Sequence, residues 1–222
     1  MTDPAKNDLV RAVLRGVRRT TGKPQRQVTP LLKSDLLSIV GLMRGSKGIR
    51  DRALVLLGFA GALRRSELVA LDVQDVQFVK EGLIIQIRRS KTDQTGEGRK
   101  IAVPRGRFGI CPVNAVEAWL NTATIAAGPL FRPIMKNGLV CGKRLSSQAV
   151  ALILKGYAAA VGLDAANISG HSLRAGLVTS AAMAGVSTWK IKAQTGHKSD
   201  VMVARYIRNA DLFHDNASGA VL

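Results

Sequence analysis

Two arginines, two histidines and a late tyrosine stand in this chain in an order that suits attack on a phosphodiester. The C-terminal part carries Ser169-Gly170-His171-Ser172-Leu173-Arg174, then Gly196-His197, then Tyr206. Far upstream stands Leu63-Arg64-Arg65-Ser66-Glu67-Leu68. A guanidinium fork neutralises the non-bridging oxygens of a phosphate two at a time. Histidine titrates near neutrality and can move a proton. A tyrosine hydroxyl becomes a covalent nucleophile once a base or an electropositive site activates it, because a free phenol titrates near 10. Such a set can break a phosphodiester without a metal, and its order and spacing say more than any member alone.

The pattern resembles the catalytic domain of the tyrosine recombinase (phage integrase) family over roughly residues 29–213. The family's arginine helix appears as Gly61-Ala62-Leu63-Arg64-Arg65-Ser66-Glu67-Leu68, and its β-hairpin lysine as Lys91 in Ser90-Lys91-Thr92. Its His-x-x-Arg element appears as His171 and Arg174, its Gly-His as Gly196-His197, and Tyr206 follows His197 by the family's nine residues. The resemblance implies a mainly α-helical fold with a small antiparallel β-sheet (α+β). It implies site-specific DNA cleavage and rejoining through a 3′-phosphotyrosyl link. Arg64 and Arg174 would clamp the scissile phosphate, with Glu67 orienting the site from behind. His171 would accept the proton of the nucleophile Tyr206, His197 would hydrogen-bond a non-bridging oxygen, and Lys91 would protonate the departing 5′ oxygen. No cofactor and no metal is expected. The expected partner is double-stranded DNA, bound by a homo-tetramer in the cytoplasm.

Composition agrees with a polyanionic partner. The 222 residues hold 33 Lys and Arg against 15 acidic residues, a formal charge of +18. A balance that basic points to nucleic acid or an anionic membrane surface. The longest apolar run, residues 53–63, is too short for a bilayer, which needs about 20 residues, and residues 1–6 lack the apolar stretch of a signal peptide. With 46% hydrophobic but only 4% aromatic residues, the core must rest on Leu, Val, Ile and Ala. Cys111 and Cys141 have no metal-ligand spacing and read as idle or buried thiols.

Several elements must position the reactive set. Residues 8–19 carry a one-sided apolar stripe (Leu9, Val10, Val13, Leu14, Val17) and read as a helix, followed by a basic linker over 20–28. A stripe of that size is expected to find cover, on the same chain or another copy, or to stay unfolded. Thr29-Pro30 is expected to cap a helix running to about 43. Further helices are expected over 48–62, 64–71, 111–123, 146–161, 171–184, 187–194 and 199–207. Strands are expected at 83–88 and 100–103, with a third over 76–79, and Lys91 near the hairpin tip. Tyr157, Trp119 and Trp189 read as helix-packing residues, His214 as part of the tail, and Arg65 as a solvated or DNA-backbone residue.

The domain reading is therefore an N-terminal helix and basic linker (1–28) as the remnant of, or lead-in from, a core-binding domain, a catalytic domain (29–213) and a short tail (214–222). There is no room before residue 29 for the family's helical core-binding domain, so the chain reads as an isolated catalytic domain or a short member. Two rival functions remain at this stage. A type IB topoisomerase would carry lysine or arginine where His171 stands, and a non-catalytic DNA-binding relic would have lost some of the set.

Overall fold

The computed structural model of the chain describes residues 7–22, 28–88, 98–107, 109–197 and 199–210. Among these residues are nine α-helices and one three-stranded sheet. The helices are α1 (Asp8–Thr21), α2 (Lys33–Gly41), α3 (Gly45–Ala60), α4 (Arg65–Ala70), α5 (Pro112–Thr122), α6 (Ser147–Ala160), α7 (Ser172–Met183), α8 (Thr188–Thr195) and α9 (Asp200–Ala210). The strands β1 (Val76–Phe78), β2 (Gly82–Ile87) and β3 (Arg99–Pro104) form an antiparallel meander in the order β1-β2-β3. Leu83, Ile85 and Ile87 alternate along β2 and turn one face to the core, meeting Val103, Ile101 and Arg99 of β3. Lys91 and the hairpin turn lie outside the described residues, as do the tail and His214.

α3 is the spine. Its central run of Ala53 to Leu57 is fully or nearly fully buried, and it packs most extensively on α5 and also on α7. Each fully buried leucine contributes roughly 1.5–3 kcal/mol, so a helix apolar nearly all round is stable only inside the fold. Trp119 of α5 is fully buried as expected, its indole N–H donating to the Leu130 carbonyl at 2.8 Å. Tyr157 is half-buried and its hydroxyl donates to Asp51 at 3.2 Å. Trp189 overturns the packing expectation, being 68% exposed. The short helix α8 buries Ile191 and Thr195, and a residue two positions from Ile191 faces the opposite way. Lys190 Nζ lies 5.8 Å from the Trp189 ring centre instead.

The start of α2 differs as well. Thr29-Pro30 does not cap it: the helix begins at Lys33, and its capping carboxylate is Asp35, which accepts the Leu32 N–H at 2.8 Å. Residues 29–31 are instead held as a strap across the start of α7, where Thr29 N–H donates to Asn167 and Leu31 N–H to Ser172, at 3.0 and 3.1 Å. The backbones approach so closely that a Cβ on Gly176 would overlap the Leu31 carbonyl. On α1 the apolar stripe is uncovered by the described residues, with Leu9, Val13 and Val17 all exposed.

The strap makes a prediction about α7. Gly→Ala inside a helix ordinarily stabilises by up to about 1 kcal/mol. Gly176→Ala should instead destabilise by about 1–3 kcal/mol, the usual cost of overpacking, because both partners are backbone. Urea unfolding of the two proteins checks the sign.

Candidate active site

The site forms where four helix ends and one strand end converge. α3 is followed by its cap Gly61 and by Ala62, and Ala62 adopts a left-handed φ of +47°, unusual for a residue with a side chain. That reversal lets Leu63 N–H return to Gly58 at 3.0 Å and turns the Ala62 carbonyl inward. Arg64 then stands at the N-cap of α4 and Glu67 three residues into the helix. The buried Glu67 carboxylate accepts the Arg64 backbone N–H at 2.9 Å through one oxygen and Arg64 Nη1 at 2.6 Å through the other. One carboxylate thus caps the helix and aims the arginine, which the three-residue spacing allows. Arg65 is exposed, as its place on the other face requires.

α7 supplies the second pair from its first turn. His171 occupies the N-cap and Arg174 the third helical position. Arg174 has no solvent exposure. Its Nη1 donates to the inward Ala62 carbonyl at 2.7 Å, while Nε and Nη2 are buried with no hydrogen-bond partner among the described residues. An unpartnered buried donor costs about 1–3 kcal/mol, more when charged. Burial, and secondly the charge of Arg64, push the Arg174 pKa down to about 10. It remains a cation at neutral pH, so these nitrogens are a standing demand for an anion.

His171 keeps a solvent-accessible edge, and its Nε2 lies 2.9 Å from the Tyr206 hydroxyl. Burial, then Arg174 and Arg64, hold its pKa below the ordinary imidazole value. The ring is therefore neutral at pH 7 and can take a proton. Tyr206 sits on α9 with its side chain against a small apolar cluster of Val178, Ile191 and Val203, separate from the main core. That packing aims the hydroxyl without gripping it.

His197 follows Gly196, the left-handed cap of α8 at φ +69°. The ring is only 6% exposed, and its Nδ1 lies 2.8 Å from Thr195 Oγ1, which also lies 2.7 Å from the Ile191 carbonyl. Thr195 has one hydroxyl proton, and the carbonyl can only accept. Thr195 therefore donates to Ile191 and accepts from His197 Nδ1–H. Nε2 of the neutral ring is then an acceptor, and a bond from it to a phosphate oxygen requires the imidazolium. In the free protein, burial first and then the charges of Arg174, Arg64, His171 and Arg99 push this pKa down to about 4. A bound phosphate supplies the negative charge that reverses the shift.

The structure thus brings together Arg64, Glu67, His171, Arg174, His197 and Tyr206, while Lys91 lies outside the described residues. It adds Thr195, Gln194 and Arg99, which carried no motif signal. Gln194 donates from its side-chain amide to Ala60 and Ala102 carbonyls at 2.9 and 3.1 Å, tying α8 to α3 and β3. Arg99 lies beside Glu67, with Nη2 3.8 Å from its carboxylate.

The His197 shift sets a pH dependence for stability. Above pH 6.5 the ring is neutral folded or unfolded. As pH falls from 6.5 towards 4 the unfolded chain takes a proton that the folded one refuses, so stability falls. For His197 the full loss is about 3 kcal/mol, and His171 acts in the same direction. Denaturant unfolding without DNA at pH 7 and pH 4.5 should show His197→Gln losing less stability over that interval than the wild type. An equal or larger loss in the variant would contradict the shift.

Comparison with known proteins accords with this geometry. The family model described as "Phage integrase family" matches residues 30–212. The chain is 45% identical to an "Integrase/recombinase xerD homolog" of Selenomonas ruminantium, over 97% of this chain and 64% of that protein. Among solved structures, the XerH site-specific recombinase bound to palindromic difH substrate aligns with a TM-score of 0.62 at 17% identity, over 83% of this chain and 50% of that one. A lambda integrase dimer bound to a COC′ core site aligns with a TM-score of 0.61 at 18% identity, over 90% and 56%. The chain thus spans about half to two thirds of the length of these proteins. With that match covering most of its length, the chain belongs to the phage integrase family, the tyrosine recombinases.

Proposed function

We propose that this chain is the catalytic part of a site-specific DNA recombinase, a metal- and ATP-independent DNA strand transferase acting in the cytoplasm. The observation that carries the reading is the Tyr206 hydroxyl 2.9 Å from His171 Nε2, beside a buried Arg174 with two nitrogens unpaired among the described residues. Nucleophile, proton acceptor and phosphate clamp are thereby in one place. XerH and lambda integrase, whose fold it shares, are described as bound to their DNA sites.

In this reading Arg64 and Arg174 hold the non-bridging oxygens of the scissile phosphate, and His197 donates to one of them as the imidazolium. The Tyr206 proton passes to His171 as the phenolic oxygen attacks phosphorus. The Tyr206 O–P bond forms, the bond from phosphorus to the 5′ oxygen breaks, and Lys91 gives that oxygen a proton. A 5′-hydroxyl from the partner duplex reverses the step and restores tyrosine. Rate enhancement comes from preorganised donors around the pentavalent phosphorus. Glu67 contributes by fixing Arg64. In this reading residues 29–213 form the catalytic unit, 1–28 are the remnant of, or lead-in from, a core-binding domain, and 214–222 form a tail.

The working assembly in this reading is a homo-tetramer on double-stranded DNA. An apolar groove of about 420 Å³ between α2, α3, α7 and α8, lined by Leu36, Leu56, Phe59, Leu177 and Ile191, supports it as a seat for the tail of a neighbouring copy. The segment that would occupy it, residues 210–222, carries Leu212, Phe213, Val221 and Leu222.

A suicide substrate that traps the covalent adduct tests the chemistry. In EDTA-containing buffer the wild type should form adduct. Tyr206→Phe should form none yet bind DNA with unchanged affinity, since Phe keeps the packing on Val178, Ile191 and Val203. Adduct from the variant at the wild-type level would sink the assignment. Deletion of residues 210–222 should weaken assembly on full sites, read by gel shift, more than adduct formation on half-sites. Equal loss of both would count against docking of the tail between copies.

A further inference from the structure

Arg99 belongs to none of the motifs that mark the other site residues, yet its side chain reaches into the site. It opens β3 opposite Ile87 of β2, where the sheet meets the end of α8. Nη1 donates to the Gln194 carbonyl at 2.8 Å, one of the terminal helix carbonyls that lack a partner within the helix. The guanidinium also lies against Gly196, where a Cβ would stand 3.1 and 3.2 Å from its Nε and Cζ. Nη2 is buried, faces Glu67 Oε2 at 3.8 Å, and has no hydrogen-bond partner among the described residues. One side chain therefore touches the carboxylate that aims Arg64, the last turn of α8, and the glycine preceding His197.

We infer that Arg99 is a positioning residue of the cleavage site, locking the Gly196–His197 turn to Glu67 and β3 so that His197 and Arg64 keep a fixed separation. The inference rests on the strand-cleavage reading above. A direct phosphate contact is the competing role, and the geometry disfavours it, because Nη2 is turned inward to Glu67 and Nη1 is committed to Gln194. The charge is kept against opposition. Burial, with Arg64 adding to it, holds the Arg99 pKa below the ordinary value while Glu67 works the other way. A neutral side chain could satisfy the Gln194 carbonyl alone, whereas reaching that carbonyl and Glu67 together takes the planar fork of arginine. A lysine, with one point of charge, cannot span both.

The test uses the full chain with Arg99→Lys and Arg99→Gln. Adduct formation is followed in single turnover on an ordinary scissile phosphate and on an uncharged methylphosphonate at the same position. DNA affinity is measured against salt, thermal melting is recorded, and the histidine ring signals are read by NMR. Both variants should cleave about a hundredfold more slowly, the scale of loss for a displaced reacting group. Their salt dependence of binding should be unchanged, because no phosphate contact is lost. The methylphosphonate should not restore the rate, and the His197 ring signals should shift. Rescue by the methylphosphonate would make Arg99 a phosphate contact and overturn the inference. Wild-type cleavage by both variants, or cleavage lost only in proportion to melting, would overturn it as well. A wild type that forms no adduct would remove the strand-cleavage reading itself, whereas unaffected variants beside an active wild type would remove the role of Arg99 alone.

Discussion

Burial of Arg174 is the constraint around which the site is arranged. A guanidinium without solvent exposure, one nitrogen bound to a backbone carbonyl and two unpaired among the described residues, is a costly thing to fold. Its surroundings add to the cost. Arg64 and Arg99 are cations nearby, and the first turn of α7 presents the positive end of the helix dipole. The buried Glu67 offsets part of this by pairing with Arg64 and standing near Arg99. The balance is still positive, and after burial, the larger cause, it helps to hold both site histidines neutral. Such a pocket is relieved by an anion and by little else, and a phosphate with two non-bridging oxygens fits the donors on offer. The stability given up in the free protein is returned when such an anion binds.

Holding like charges together requires rigid surroundings, and the fold supplies them through close backbone approaches. Gly58 lets α3 lie against Leu68 of α4 and Leu173 of α7, where a Cβ would come within 3.0 Å of both side chains. Gly176 lets the strap of residues 29–31 cross α7. Ala62 accepts a left-handed conformation so that its carbonyl meets Arg174. Tyr206 is held differently. Tyr206 rides on α9, which packs on α7 and α8 through the small second cluster and not through the main core. Arg64 and Arg174 belong to the rigid body, and Tyr206 belongs to an element with less apolar packing behind it.

The residue pattern marked the side chains that the structure brings together, and most of the architecture. Arg64, Glu67, His171, Arg174, His197 and Tyr206 were legible because chemistry restricts their types and helix geometry restricts their spacing. All nine helices of the described residues, the start of α2 apart, and all three strands were legible, because apolar periodicity and Ser, Pro and Gly signals mark them, as at Ser146, Cys111-Pro112 and Gly185. What only the tertiary structure decided are the relations across long separations. The cap of α2 at Asp35 in place of Thr29-Pro30 depends on a strap paired with residues 167 and 172. The exposure of Trp189 depends on which face of a short helix meets α7 and α9. The places of Arg99, Gln194 and Thr195 depend on β3 meeting the end of α8 some 95 positions later in the chain. A local pattern carries the preferences of a residue and its near neighbours. Which distant carbonyl a guanidinium finds, and whether a histidine is buried among cations, is settled only when the core closes and brings those elements into contact.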